Sequence, residues 1–231
     1  MWATQAPTLL IDMDAQGNAT AGLGIRESDL DNTVAEVLTG ECTAQDAIIK
    51  TRFDALSLLP ADVGLATLEA DDIPATRLAE ALEPVKDTYH FIVIDCPPSL
   101  GRLTLNALAA AERVLIPVKP GRFSLKGLQQ LFDTVESLRL RQVNPSLRVL
   151  GLFYNEAQTR TNLFQTVDRA LRESYSPFLL ESVIPANVRL GEAQVVGEPI
   201  NSYDSVSTGF EAYTHLAKEV QDRWQTVARH A

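Results

Sequence analysis

The sequence predicts an α/β fold, a mostly parallel sheet flanked by helices on both faces, and three observations predict it. Apolar runs of strand length alternate with stretches of helical periodicity along the 231 residues. Those runs are continuously apolar, as in strands buried on both faces of a parallel sheet. Two of them, Thr8-Leu9-Leu10-Ile11-Asp12 and Phe91-Ile92-Val93-Ile94-Asp95, end in an aspartate and then break off. Ligands of open α/β sheets bind at the carboxyl ends of strands. Either stretch alone reads more readily as a core strand capped by a solvated aspartate. The pair points to one site with several carboxylates at its rim.

In order along the chain, residues 15–32 follow the first strand and, rich in Gly, Asn, Asp and small residues, read as a loop. Residues 33–38 and 44–48 read as short helices, 55–59 as a strand ended by Pro60, and 63–69 as a helical turn or two. Residues 74–82 read as a helix with Pro74 at its first position, where a missing N–H costs nothing. The strand at 91–95 stops at Pro97-Pro98, since neither proline donates to a ladder and each restricts its predecessor. Residues 103–110 are helical, 113–118 form a buried strand, and Lys119-Pro120-Gly121 is a loop at its carboxyl end. Ser124 reads as the N-cap of a helix to about Leu140, with Leu128, Leu131, Phe132, Val135 and Leu138 at helical spacing. Asn144-Pro145 breaks it. Residues 147–154 form a strand ending at Asn155, Thr161 caps a helix through Arg172, and 182–185 form a last strand. A short helix at 190–196 and an amphipathic helix at 208–227 complete the chain. No repeat, low-complexity tract or linker divides it, so residues 1–231 read as one domain.

Composition excludes several classes. No apolar run approaches the roughly 20 residues that span a bilayer, so no membrane partner is expected. Met1-Trp2-Ala3-Thr4-Gln5 lacks the basic region and apolar segment of a signal peptide. Cys42 and Cys96 are too few for a disulfide framework and fit a reducing, cytoplasmic setting. His90, His215 and His230 show no metal-ligand spacing, which argues against zinc or iron. The net charge of −10 opposes a nucleic-acid partner, but it is unevenly placed. Residues 1–100 hold 5 Lys/Arg against 17 Asp/Glu, whereas residues 101–231 hold 15 against 13. A local basic surface in the second part stays open.

Strand-end aspartates beside a Gly-containing loop suit Mg²⁺-assisted phosphate chemistry. Mg²⁺ takes oxygen ligands and keeps several waters, so one or two carboxylates suffice. An aspartate ending an apolar strand holds that ion in phosphate-binding NTPases. A neighbouring aspartate can orient the attacking water.

The block Leu10-Ile11-Asp12-Met13-Asp14-Ala15-Gln16-Gly17-Asn18-Ala19-Thr20-Ala21-Gly22-Leu23-Gly24 resembles a motif of the ParA/MinD family of partition ATPases, LIDxDPQGNATxxLG. It departs only at Ala15, in place of proline. Ile92-Val93-Ile94-Asp95-Cys96-Pro97-Pro98-Ser99-Leu100-Gly101 resembles the family's Walker B strand and the switch after it. Residues 114–117 resemble its next strand, and 184–193 its IPxNVRLxEA segment. The ending, from Pro199-Ile200 through Tyr203-Asp204 and Gly209 to Leu216-Ala217, also matches, so the resemblance covers nearly the whole chain in order.

That resemblance implies a P-loop NTPase-like fold with ATP and Mg²⁺ as cofactors. By it, Asp14 orients or activates the hydrolytic water, and Asp12 and Asp95 lie near Mg²⁺, acting through bound water. Gln16, Gly17 and Asn18, with Pro98, Ser99 and Gly101, become switch residues. Asn155, Pro185, Val188 and Glu192 fall near the adenine; Asn155 is equally a strand-end turn residue. The implied assembly is a homodimer with a ParB-like or adaptor partner, in a bacterial cytoplasm and on the nucleoid if it binds DNA. Arg189 is the candidate contact to nonspecific DNA, and equally a solvated surface arginine. Two positions often basic in the family are here Ala186 and Ser207 or Thr208.

The family's KGGxGKT loop precedes the block with which this sequence begins. No G-x-x-x-x-G-K-[ST] occurs in it, and Lys119-Pro120-Gly121 and Lys126-Gly127 have neither the spacing nor the position. The resemblance makes residues 1–7 the tail of the family's first helix, so an N-terminally truncated fold is expected. Without the loop there is no backbone cradle for phosphate and no lysine to neutralise it. The three aspartates then face each other unopposed, and the strand at 91–95 has an open edge. Three readings follow: a late start to an ordinary partition ATPase, a degenerate paralogue, or a nucleotide-free protein kept for binding a partner. ATP hydrolysis by these 231 residues is expected to be impaired or absent, with a non-enzymatic interaction module as the alternative. A nitrogenase-iron-protein relative is the weaker option, because Cys42 and Cys96 lack its cluster pattern.

Overall fold

β1 (Thr8–Asp12) is the strand around which the first half of the chain is built, and a computed structural model describes the protein over residues 6–121 and 124–228. The chain divides into two compact units, residues 1–111 with 194–198, and residues 112–193 with 199–231.

In the first unit β1 pairs in parallel with β3 (Leu56–Leu59) and β4 (Phe91–Asp95), and the short β2 (Ile49–Lys50) pairs antiparallel with β3. The order β2-β3-β1-β4 leaves β4 as an end strand, all apolar before Asp95, with Val93 42% exposed. Leu9, Ile11 and Met13 are fully buried against residues of α2 (Val34–Thr39), α4 (Arg77–Leu82) and α5 (Arg102–Ala110). Each such side chain contributes about 1.5–3 kcal/mol by leaving water. Thr33 begins α2 with a capping box: its hydroxyl accepts from Ala35 N, and Glu36 accepts from Thr33 N at 2.7 Å. Thr43 and Asp46 repeat the device at α3 (Ala44–Ala47). Residues 15–32 are not wholly a loop. They contain α1 (Asn18–Gly22) and a 3₁₀ turn at Glu27–Asp29. α4 starts three residues after Pro74, whose carbonyl accepts Arg77 N in the preceding turn, and Asn106 Oδ1 receives Leu78 N at 3.1 Å.

In the second unit β5 (Arg113–Val118), β6 (Arg148–Ala157) and β7 (Leu179–Pro185) form a parallel sheet in that order. β6 runs three residues beyond the expected Tyr154, because Ala157 still pairs with Pro185. Ile116, Leu152, Tyr154, Val167 and Leu171 form its core with α6 (Ser124–Leu140) and α7 (Asn162–Tyr175). Thr161 caps α7 by accepting Phe164 N at 3.2 Å. The cap expected of Ser124 lies outside the described residues. α8 (Val188–Val195), the single turn α9 (Ile200–Tyr203) and α10 (Thr208–Ala228) follow. Glu219 of α10 accepts the N–H groups of Glu181 and Ser182 at 2.7 and 2.9 Å, satisfying donors on the end strand β7.

The strands thus make two sheets where the sequence suggests one, parallel pairing dominates both, and helices flank them. Apolar runs mark strands but do not carry the identity of their partners. Among the described residues no helix is long and apolar enough to cross a membrane.

Candidate functional site

Asp12 and Asp95 are register partners at the carboxyl ends of β1 and β4. Neighbouring strands lie about 4.8 Å apart, so the pairing alone sets two carboxylates side by side. Asp12 is fully buried. Its Oδ2 accepts from Thr20 N at 2.8 Å and Thr20 Oγ1 at 2.7 Å, and its Oδ1 accepts from Asp14 N at 3.2 Å. Three donors to one carboxylate replace the hydration that burial removes. They also explain α1: Asp12 caps it from eight residues upstream.

Asp14 lies two residues on, half-buried, in the turn that Asp12 shapes. Its Oδ1 accepts from Gln16 N at 3.0 Å and its carbonyl from Gly17 N at 2.8 Å. Gly17 has φ of 61°, a left-handed conformation that favours glycine. Gln16 and Asn18 are exposed at the lip of the turn.

Asp95 keeps part of its surface in water yet is crowded on its other sides. Its carboxyl is pushed up to about 6, first by burial, then by the charges of Asp12 and Asp14. Among the described residues no ion pair includes any of the three aspartates. Like charges without a counter-charge make a place for a cation. Among the described residues no group of three or more His, Cys, Asp or Glu is arranged to enclose a metal. Carboxylates at the ends of β1 and β4 suit an ion that keeps its waters and meets one or two of them, as Mg²⁺ does. The neighbouring Cys96 thiol is pushed up to about 12 by burial and by Asp95 and Asp14, so it is no nucleophile at neutral pH.

Pro98, Ser99 and Gly101 lie in the loop from β4 to α5, where Thr104 Oγ1 donates to Ser99 O at 2.6 Å. The remaining candidates belong to the second unit. Asn155 is near the end of β6 and Pro185 ends β7, where Pro185 pairs with Ala157. Val188 opens α8 and is 77% exposed. Glu192 receives Arg189 at 2.8 Å and the Tyr203 hydroxyl at 3.2 Å, and Arg189 also reaches Asp204 at 3.2 Å. Arg189 is thus neutralised by two carboxylates.

Two residues that sequence reasoning passed over shape this site. Thr20 bridges Asp12 to Ala61 N, which it accepts at 3.2 Å. Glu69 contacts the start of α5, accepting Arg102 N at 2.7 Å. Thr20 stands inside the motif block, so its hydroxyl was a usable signal; nothing local marks Glu69.

Carboxylates at the carboxyl ends of parallel strands beside a glycine turn suit the phosphate chemistry of α/β nucleotide-binding proteins. The AAA domain family matches residues 2–149. The chain is 42% identical over 216 residues to the sporulation initiation inhibitor protein Soj of Bacillus subtilis, covering 92% of this chain and 85% of Soj. It is 39% identical over 220 residues to the chromosome partitioning protein ParA of Myxococcus xanthus, covering 94% and 77%. The structure of cobyrinic acid a,c-diamide synthase from Mycobacterium smegmatis with bound ATP analog and magnesium is similar, with a TM-score of 0.79 and 29% identity over 96% of this chain and 84% of that one. The chain belongs to the ParA/MinD family of partition ATPases.

Proposed function

We propose that the chain serves the partitioning of DNA or the positioning of intracellular cargo, as a ParA-type ATPase whose hydrolytic residues are present here and whose phosphate-binding loop is not within these 231 residues. One observation carries the reading: the register pair Asp12–Asp95, with Asp14 held two residues on in a turn built by Asp12 itself. In this reading Asp14 orients the attacking water with the oxygen that Gln16 N does not engage. Asp95, with Asp12 beside it, holds Mg²⁺ through water. Bound Mg²⁺–ATP supplies the transferable phosphoryl group and the positive charge that offsets the three carboxylates. Gln16, Gly17, Asn18, Pro98, Ser99 and Gly101 follow the presence of the terminal phosphate. Asn155, Pro185, Val188 and Glu192 face the adenine.

The proposed assembly is a nucleotide-dependent homodimer in a bacterial cytoplasm, acting with a ParB-like or adaptor protein. The two carboxylates on Arg189 weigh against that residue as a contact to nonspecific DNA in this conformation. The alternative reading is a nucleotide-free interaction module that keeps the fold.

The test is nucleotide binding and ATP turnover by this chain and by the chain extended at its N-terminus with a KGGxGKT-bearing segment. The chain alone is expected to show negligible turnover, and the extended chain turnover that Asp14→Ala abolishes. Clear turnover by the chain alone, lost in Asp14→Ala, overturns the first expectation. An extended chain that binds no ATP but still binds a partner decides for the module.

A further inference from the structure

We infer that Glu69 is a positioning residue for the loop Cys96–Gly101, and that residues 61–69 form a strap tying that loop to the turn carrying Asp14. α5 starts with a deficit. The first N–H groups of a helix have no partner within it, and Gly101, at the N-cap, has no side chain to supply one. Glu69 supplies it from 33 residues away, its Oε2 accepting Arg102 N at 2.7 Å. That is a charge-assisted bond, placed where the helix dipole favours an anion.

Gly101 gives independent testimony. Its φ of −84° and ψ of −168° are open to any residue, so conformation does not require glycine. Space does. A Cβ at this position would stand 2.2 Å from Glu69 Oε2 and 2.6 Å from Oε1. The small residue and the distant carboxylate are one device.

The segment that carries Glu69 is anchored at its other end to the opposite loop. Ala61 N donates to Thr20 Oγ1, which itself donates to Asp12. Between these ends Asp62 caps the 3₁₀ stretch Val63–Glu69 by accepting Gly64 N at 3.1 Å. Leu65 and Leu68 are buried in the same core as Leu103 of α5. Asp72 adds an exposed ion pair to Arg102 at 3.2 Å, which contributes little. The path Asp12–Thr20–Ala61–Glu69–Arg102 therefore runs from the carboxyl end of β1 to the start of α5 through a packed, hydrogen-bonded segment. Its bearing on nucleotide chemistry rests on the ATPase reading above; the strap itself does not.

Hydrogen exchange on the full chain, with no nucleotide added, reads the loop directly. Glu69→Ala is expected to raise exchange at the Arg102 amide by about tenfold, since that N–H then loses its acceptor. Gly101→Ser in that background offers a hydroxyl cap to α5 without rebuilding the link to residue 69. It is expected to restore the melting temperature and leave the Arg102 amide exchanging fast. Gly101→Ser alone is expected to lower the melting temperature, because its Cβ meets the carboxylate. Unchanged exchange in Glu69→Ala overturns the inference, and so does a double variant in which the local cap restores slow exchange as well as stability. Should Glu69→Ala fail to fold, Glu69→Gln keeps a neutral acceptor and must still raise exchange at this amide; no rise sinks the proposal. If the loop responds as expected while the extended chain hydrolyses no ATP, the ATPase reading fails and the strap stands.

Discussion

Asp95→Asn tests the electrostatics of the site without touching its shape. Burial and the charges of Asp12 and Asp14 raise the folded-state pKa of Asp95 from 3.8 to about 6. The folded chain therefore holds this proton more tightly than the unfolded chain, and ionising Asp95 favours unfolding. Below about pH 4 the carboxyl is neutral in both states and the penalty vanishes. Between about pH 4 and pH 6 the unfolded state ionises first, so stability falls as pH rises; above about 6 the penalty is complete. A rise of about two units sets a ceiling of about 3 kcal/mol, at about 1.4 kcal/mol per unit. Because part of the Asp95 side chain stays in water, the repulsion is screened, and about 1 kcal/mol is the expected size.

Asparagine keeps the volume and an oxygen that can accept from Cys96 N, and it removes the charge. Asp95→Asn is thus expected to stabilise the chain by about 1 kcal/mol near pH 8, with most of that gain gone near pH 4. Urea unfolding of both proteins at the two pH values, with a chelator present, measures it; differences between the two proteins cancel the titration of groups not coupled to Asp95. A variant less stable than the parent near pH 8, or an equal gain at both pH values, would refute the like-charge account.

Two further substitutions probe the scaffold of the same unit. Thr20→Val removes a donor from the fully buried Asp12 and an acceptor from Ala61 N, and is expected to cost about 2 kcal/mol in urea unfolding, with Thr20→Ser retaining most of it. A valine variant as stable as the parent would show that Asp12 does not depend on this hydroxyl. Gly197→Ala is expected to destabilise by about 1–3 kcal/mol, because residue 197 has φ of 67° and its Cβ would meet Gly24 Cα at 2.9 Å and Ala21 O at 3.0 Å. Those are backbone atoms and cannot swing aside, so an unchanged melting temperature would contradict the close approach.

What was legible in the sequence followed the range of the interactions involved. β1, β4 and β5 fall where expected, because an apolar run ended by aspartate or followed by proline is a local signal. α2 and α7 begin at Thr33 and Thr161 for the same reason, each cap sitting next to its helix. α1 was missed because its cap is Asp12, at the end of a strand eight residues earlier, and because its entry depends on the left-handed Gly17. The last residues of β6, Asn155-Glu156-Ala157, are poor strand formers held by pairing with β7. The division into two sheets depends on strand partners that no local pattern encodes. In the site, Asp12, Asp14 and Asp95 were readable as a motif. Glu69 was not, since its partner lies 33 residues away and the only trace is a helix that starts at a glycine.

Asp12 and Asp95, which the sequence presents as a matched pair, are not equivalent in the folded chain. Asp12 is sealed from water and its oxygens meet three protein donors, which fix Asp14 and α1 in place. Asp95 makes no ion pair among the described residues, and its carboxyl is raised first by burial and then by the charges of Asp12 and Asp14. Crowded carboxylates differ in this way when one is well supplied with donors and the other is not. In the proposed reading a cation entering from solvent meets the more accessible Asp95 and Asp14, with Asp12 beside them holding the turn. Substitution of Asp12 should then disturb the fold, and substitution of Asp14 or Asp95 the chemistry.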